Sequence, residues 1–180
     1  MKPEQNWILD DAQPLLHKPC LPLDVMHINE QDQTLINKMV AYVDACFNKK
    51  DSELNIRPGI ALAGNQVGLN KQVVYIHFAV HDTEYKYLLA NPRIIAESQL
   101  AAYIHNGEGC LSVNKEHKGI IKRKNHIIVK AYDLFNHKEI TIDASGLLAI
   151  CLQHEIDHLY GILYYDRINN KQDTRDWIRY

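Results

Sequence analysis

The sequence has no long apolar run. Nothing in its 180 residues approaches the ~18 consecutive apolar residues of a membrane span. It also has no excess of one charge: 20 basic against 22 acidic residues give a net charge of -2, with the two signs mixed. That removes the electrostatic footprint expected for nucleic acid or an anionic membrane. Cysteine is scarce and unpaired. Cys20, Cys46, Cys110 and Cys151 form no C-x-x-C spacing. The stretch from Met1 to Asp11 is charged and has no apolar centre, so it does not read as a secretory signal. Together these features predict a cytoplasmic protein with reduced thiols, free to bind metal. There is no internal repeat, low-complexity tract or long linker, and the length suits one domain, residues 1–180.

What is present is a helix–strand–helix order. Residues 31–48 carry Leu35, Ile36, Met39, Val40, Val43 and Phe47 at helical spacing. Residues 49–58 are polar and end in Pro58-Gly59, which predicts a loop. Strands are expected at 72–79, then at 84–90 and 93–98 joined at Asn91-Pro92. A hairpin over 126–134 and 139–143 should turn around Asn136-His137-Lys138. A helix from Gly146 to Tyr160 comes next, with Asp143 or Ser145 near its start and Gly161 past its end. A short strand, Ile162 to Tyr165, and a polar tail over 166–180 complete the reading, with 1–30 as an N-terminal arm. The fold class is α+β, with antiparallel sheets packed around a central C-terminal helix.

That last helix is apolar nearly all round, yet His154, Glu155, Asp157 and His158 interrupt it. Buried charges are costly unless paired or bound to metal. In His154-Glu155-Ile156-Asp157-His158 the two histidines lie one turn apart on one side, so both can reach one ion. Glu155 sits about 100° round the helix, close enough to serve a water on that ion as a base. A catalytic site of this kind needs a third protein ligand and an open position. One zinc-peptidase pattern places a histidine three residues after Gly161, where Tyr164 stands instead. Another uses a downstream glutamate, and none follows Tyr165. The third ligand must come from upstream, where Glu108-Gly109-Cys110 offers Cys110. Cys151, three residues before His154, is a weaker alternative and reads better as pocket wall. Asp157 could orient a metal-bound histidine or contact a neighbouring loop. His17, His27, His77, His81, His105, His117, His126 and His137 read as surface or strand residues.

Three motifs carry a resemblance. Glu108-Gly109-Cys110-Leu111-Ser112 and His154–His158 match two signatures of the peptide deformylases, which remove the formyl group from nascent bacterial-type proteins. Gly59-Ile60-Ala61-Leu62-Ala63-Gly64-Asn65-Gln66 is similar to the family's first signature, with Ala61 in place of a usual glycine and Gly64 in place of a usual alanine. The long segment before Gly59 resembles the branch common in Gram-positive bacteria and their relatives. The resemblance implies a metal-dependent hydrolase acting on N-formylmethionyl peptides. Cys110, His154 and His158 would hold the metal. Ferrous iron is the native ion it implies, whereas a Cys/His/His site by chemistry alone suggests zinc; nickel or cobalt could substitute. Glu155 would be general base and acid for a metal-bound water. Gln66 and the Leu111 N–H would donate to the developing oxyanion, and Glu108 would pair with Arg123. Ile60, Leu147, Ile150 and Cys151 would wall the methionine pocket. Backbone groups at Ile60 and Gly109 would pair with an extended substrate. Implied partners are nascent chains, with transient ribosome contact, and the protein would be a monomer. A general metallopeptidase and a closed, inactive metal domain are the competing readings. The changes at Ala61 and Gly64 are the hint for the second.

Overall fold

The computed structural model describes residues 1–171 and 173–180. Helix α1 (Glu30–Phe47) opens at Asn29, whose side chain accepts the Asp32 N–H at 2.8 Å. A one-turn helix α2 (Asp51–Leu54) follows inside the segment expected to be loop. Five strands then form one antiparallel sheet: β1 (Ala61–Ala63), β2 (Val73–Val80), β3 (Thr83–Glu97), β6 (His126–Asp133) and β7 (Lys138–Ser145), in the order β1-β2-β3-β6-β7. A smaller sheet holds β4 (Ala101–Tyr103), β5 (Arg123–Lys124) and β8 (Ile178–Arg179). Helix α3 (Gly146–Leu159) carries the two histidines. The architecture is α+β, as expected. Within the small sheet β4 and β8 run parallel.

The larger sheet lies between the two long helices, and strand β2 shows why. Val73 and Tyr75 pack with Ile36, Met39, Tyr42 and Val43 of α1. Val74, Ile76 and Phe78 pack with Leu148, Leu152 and Ile156 of α3. A strand buried on both faces reads as a continuous apolar run, and each such side chain contributes about 1.5–3 kcal/mol on burial. All of α3 except Leu147 and His154 is buried. The helix stops at Gly161, which adopts a left-handed conformation (φ 74). A Cβ there would lie 2.6 Å from the His17–Lys18 backbone. That close approach lets the N-terminal arm dock, with the Cys20 N–H on the Leu159 carbonyl at 2.8 Å.

Several expectations need correction. The two strands expected over 84–98 are one strand, β3, with irregular register around Ala90–Ala96. Asn91 takes a positive φ of 51 within it, and its side chain bonds Leu23 N–H and C=O at 2.8 and 2.9 Å. Ile162–Tyr165 is not a strand. A 3-10 turn spans Tyr164–Arg167, because the Asp166 carboxylate accepts the Leu163 N–H at 2.9 Å. The polar tail carries β8, beside which the Tyr180 N–H bonds the Tyr103 carbonyl at 2.9 Å. His77 is on a strand but deeply buried. It stacks on Phe47 and bonds Asp44 at 2.5 Å and Glu84 at 2.8 Å.

Candidate metal centre and active site

Helix α3 sets the floor of the site. One turn apart, His154 and His158 turn their Nε2 atoms together, 3.2 Å from each other. The Cys110 Sγ lies 3.3 Å from the His158 Nε2. Donors around one tetrahedral ion, with bonds of about 2.0–2.3 Å, stand roughly 3.3–3.6 Å apart. The three groups form the one cluster of metal-ligand type among the described residues. Cys151 is not part of it. Burial and the nearby Glu155 push the Cys151 thiol well up, which keeps it neutral in the wall.

The cluster attracts positive charge. Burial opposes an imidazolium at His154, but hydrogen bonding to Cys110 and Glu108 overcomes it and raises the group to about 10. A divalent cation satisfies the same attraction. Glu108 reaches the outer ring nitrogen, with its Oε2 2.7 Å from the His154 Nδ1, leaving the Nε2 to face the cluster. His158 differs: its Nδ1 is buried without a partner, and burial holds the group well below its ordinary value. A neutral imidazole is the form that ligates. A sulfur and two imidazole nitrogens therefore fit one zinc- or iron-type ion.

Glu108 also takes a bidentate pair from Arg123, both bonds 2.7 Å. Burial works against its charge, yet Arg123 and His154 hold its carboxyl down at about 2. Arg123 continues to Asp157 at 2.5 Å, and Asp157 is bound again by Arg167. Of the two roles open to Asp157, the geometry gives contact with neighbouring arginines; Glu108 is the residue that orients a histidine.

Glu155 is 5% exposed and its Oε2 has no hydrogen-bond partner. Burial pushes its carboxyl up to about 7. Gln66 comes from the 3-10 turn Gly64–Val67 that follows β1. Its Oε1 accepts the Ala63 N–H at 2.8 Å, which aims the amide nitrogen at the cluster, 3.1 Å from Ser112 Oγ and 3.4 Å from Cys110 Sγ. The Leu111 N–H makes no backbone hydrogen bond among the described residues.

These groups open into a cavity of about 330 Å³ lined by Ile60, Leu147, Ile150, Cys151, Gly109 and Leu111, with Glu155, His154, Cys110 and Gln66 also at its wall. Ile104 is a further apolar wall residue that its sequence setting does not mark. The Ile60 carbonyl is already taken by the His77 N–H at 2.9 Å, so it is not free to pair with a substrate. Gly109 faces open space.

The two departures in the first motif have different settings. At Gly64 a Cβ would lie 2.7 Å from the Lys71 carbonyl, so the turn excludes alanine as it stands. Ala61 is buried in β1 and faces the cavity. Sequence reasoning missed Arg57, which also lines the cavity. A lone arginine in a polar loop before Pro-Gly looks solvated, and its contacts come from far along the chain.

Comparison with known proteins gives the family. The family model described as polypeptide deformylase matches residues 5–174. A peptide deformylase of Mycoplasma genitalium is 48% identical over 168 residues, 93% of this chain and 86% of that protein. One from Halalkalibacterium halodurans is 38% identical over 168 residues, 92% and 91% of the two chains. Mycoplasmas and bacilli are the branch to which the long segment before Gly59 points. Among solved structures, the enzyme of Synechococcus elongatus in complex with actinonin superposes with a TM-score of 0.72 at 28% identity, covering 91% of this chain and 79% of that one. The enzyme of the Vibrio parahaemolyticus bacteriophage VP16T, also with actinonin, gives 0.68 at 35% identity, covering 87% and 98%. On the extent of these matches and the motifs they span, the chain belongs to the peptide deformylase family.

Proposed function

We propose that this protein hydrolyses the formyl group from N-formylmethionyl peptides, with Glu155 as the proton carrier. One observation carries the reading: the unpartnered Glu155 carboxyl stands beside the convergent Cys110, His154 and His158 donors at the floor of an apolar cavity. A divalent metal held by those three residues, ferrous iron in the native state, would supply Lewis-acid activation of water and of the formyl carbonyl.

The chain's own groups do the rest. Glu155 Oε2 takes a proton from the attacking water as the new C–O bond forms. It returns that proton to the amine nitrogen as the C–N bond breaks, giving formate and a free N-terminus. A carboxyl raised to about 7 suits both directions near neutral pH. The Gln66 amide and the Leu111 N–H donate to the carbonyl oxygen as it gains charge; such donors contribute about 10²–10³ in rate. Ile60, Leu147, Ile150 and Cys151 receive the methionine side chain. Gly109 and the outer edge of β1 at Ala61 pair with the peptide backbone. Glu108 orients His154 and is itself held by Arg123. The four thiols, all free, suit a reducing cytoplasm. The reading extends to a monomer meeting nascent chains at the ribosome.

The test is formate release from a formyl-Met tripeptide by metal-loaded protein purified without oxygen. Wild type should turn over, and Glu155→Ala should lose roughly 10²–10⁴-fold in rate while keeping its fold. No release from folded, metal-loaded wild type would end the reading. Near-normal turnover by Glu155→Ala would remove Glu155 from the mechanism.

A further inference from the structure

Arg57 lies just before the first motif, largely exposed, and takes part in no ion pair with a carboxylate among the described residues. It spends its guanidinium on backbone instead. The Nη2 donates to the Cys110 carbonyl at 3.2 Å and to the Val113 carbonyl at 3.3 Å. The Nη1 donates to the Leu111 carbonyl at 3.1 Å and to Asn114 Oδ1 at 3.3 Å. One cation therefore holds three carbonyls, those of Cys110, Leu111 and Val113, in the loop that carries Cys110. Arg57 is itself anchored. Its N–H donates to Gln5 Oε1 at 2.8 Å, and its carbonyl accepts the Tyr42 hydroxyl at 3.1 Å. Tyr42 is fully buried in α1, so the grip is referred to the core.

The Cys110 carbonyl and the Leu111 N–H belong to the same peptide unit. A charged donor on that carbonyl does two things to the N–H. It fixes the plane of the peptide, and therefore where the hydrogen points. It also draws electron density toward the oxygen, which makes the N–H a stronger donor, an effect of about 10–30% per bond in condensed phase. We infer that Arg57 is a positioning residue for the oxyanion donor: acting through the Cys110 carbonyl, it aims and strengthens the Leu111 N–H. The role rests on the deformylase reading for its consequence in rate. The physical linkage between Arg57 and the loop does not.

Two variants and two readouts test it. In steady-state kinetics with a formyl-Met tripeptide, Arg57→Met should lower kcat about tenfold or more, as expected for a weakened oxyanion donor. KM should stay within about twofold, because the interaction strengthens only in the transition state. Arg57→Lys should recover part of the loss, since it keeps the charge with fewer donors. In metal-free protein, the NMR order parameter of the Leu111 amide should fall from about 0.85 toward about 0.6 in Arg57→Met while the amides of α3 are unmoved. Because the side chain is exposed, both variants should fold; if Arg57→Met does not, Arg57→Lys is read by the same criteria. An unchanged kcat in active enzyme overturns the proposal. So does a rise in KM alone, or a fall in kcat with an unchanged Leu111 order parameter, either of which would mean that Arg57 touches substrate directly. If wild type shows no deformylation, the function reading fails, and the Leu111 order parameter alone decides whether Arg57 holds the loop.

Discussion

At the scale of single residues, the site is a set of groups each made useful by one neighbour. His154 faces the cluster because Glu108 occupies its other nitrogen, and Glu108 stays charged because Arg123 holds it. Cys110 has no substitute among the described thiols, since Cys151 lies outside the cluster and is kept neutral. Cys110→Ala should therefore bind well under one equivalent of iron or zinc after gel filtration, measured by elemental analysis; a full, tightly held equivalent would dismiss Cys110 as a ligand. Arg123 is 3% exposed between two carboxylates. Removing one partner of a buried pair strands the other, so Arg123→Met should lose about 3–5 kcal/mol of stability in urea unfolding. A loss below about 1 kcal/mol would mark the network as solvated rather than buried.

At the scale of elements, β1 and the turn Gly64–Val67 decide where Gln66 points. The turn is packed against the Lys71 and Leu69 carbonyls, 2.7 and 3.1 Å from a Cβ placed at Gly64. Backbone cannot swing aside as a side-chain tip can. Gly64→Ala, a change toward the usual family motif, should therefore destabilise by about 1–3 kcal/mol in denaturant melts. An unchanged midpoint would mean that the turn yields freely. Much at this scale was legible in the sequence. The 3.6-residue spacing of Ile36, Met39 and Val43 and the alternation in β6 and β7 report burial that local pattern alone determines. The proximity of His154, Glu155 and His158 could be read because all three sit on one helix. What stayed hidden depends on chain segments far apart. Arg57 shows no local sign of the loop it grips. β8 is two residues long, too short for any period. His77 looks like other strand histidines until α1 brings Asp44 and Phe47 against it. The turn at Tyr164–Arg167 was hidden for a local reason instead: the Asp166 carboxylate closes on the Leu163 N–H where apolar residues suggested a strand.

At the scale of the whole molecule, the core buries groups that ionise in alkali. Burial pushes the Cys20 thiol up to about 11 and the Tyr42 hydroxyl up to about 12. In the unfolded chain these groups ionise near 8.5 and 10. Each folded value is raised, so the stability it contributes is complete below the unfolded value and is lost as pH rises toward the folded one. Tm should hold to about pH 8.5 and then fall steadily through pH 11. A flat profile to pH 11 would show that both groups reach solvent in the native state.

The N-terminal arm touches the site at both ends. The Leu9 N–H bonds the Gln66 carbonyl, the Asp11 N–H bonds the Ser112 carbonyl, each at 2.8 Å, and the Cys20 N–H closes the end of α3. These partners are spread over nearly the whole chain. During synthesis the first segment to emerge must wait for the last helix before it can settle. Contacts of such long sequence separation slow folding. The consequence is one of timing: a half-made chain lacks α3 and with it His154 and His158, two of the three candidate metal donors, so the proposed activity would arrive late and all at once. Recovery of activity on refolding should then follow the slowest structural phase rather than precede it.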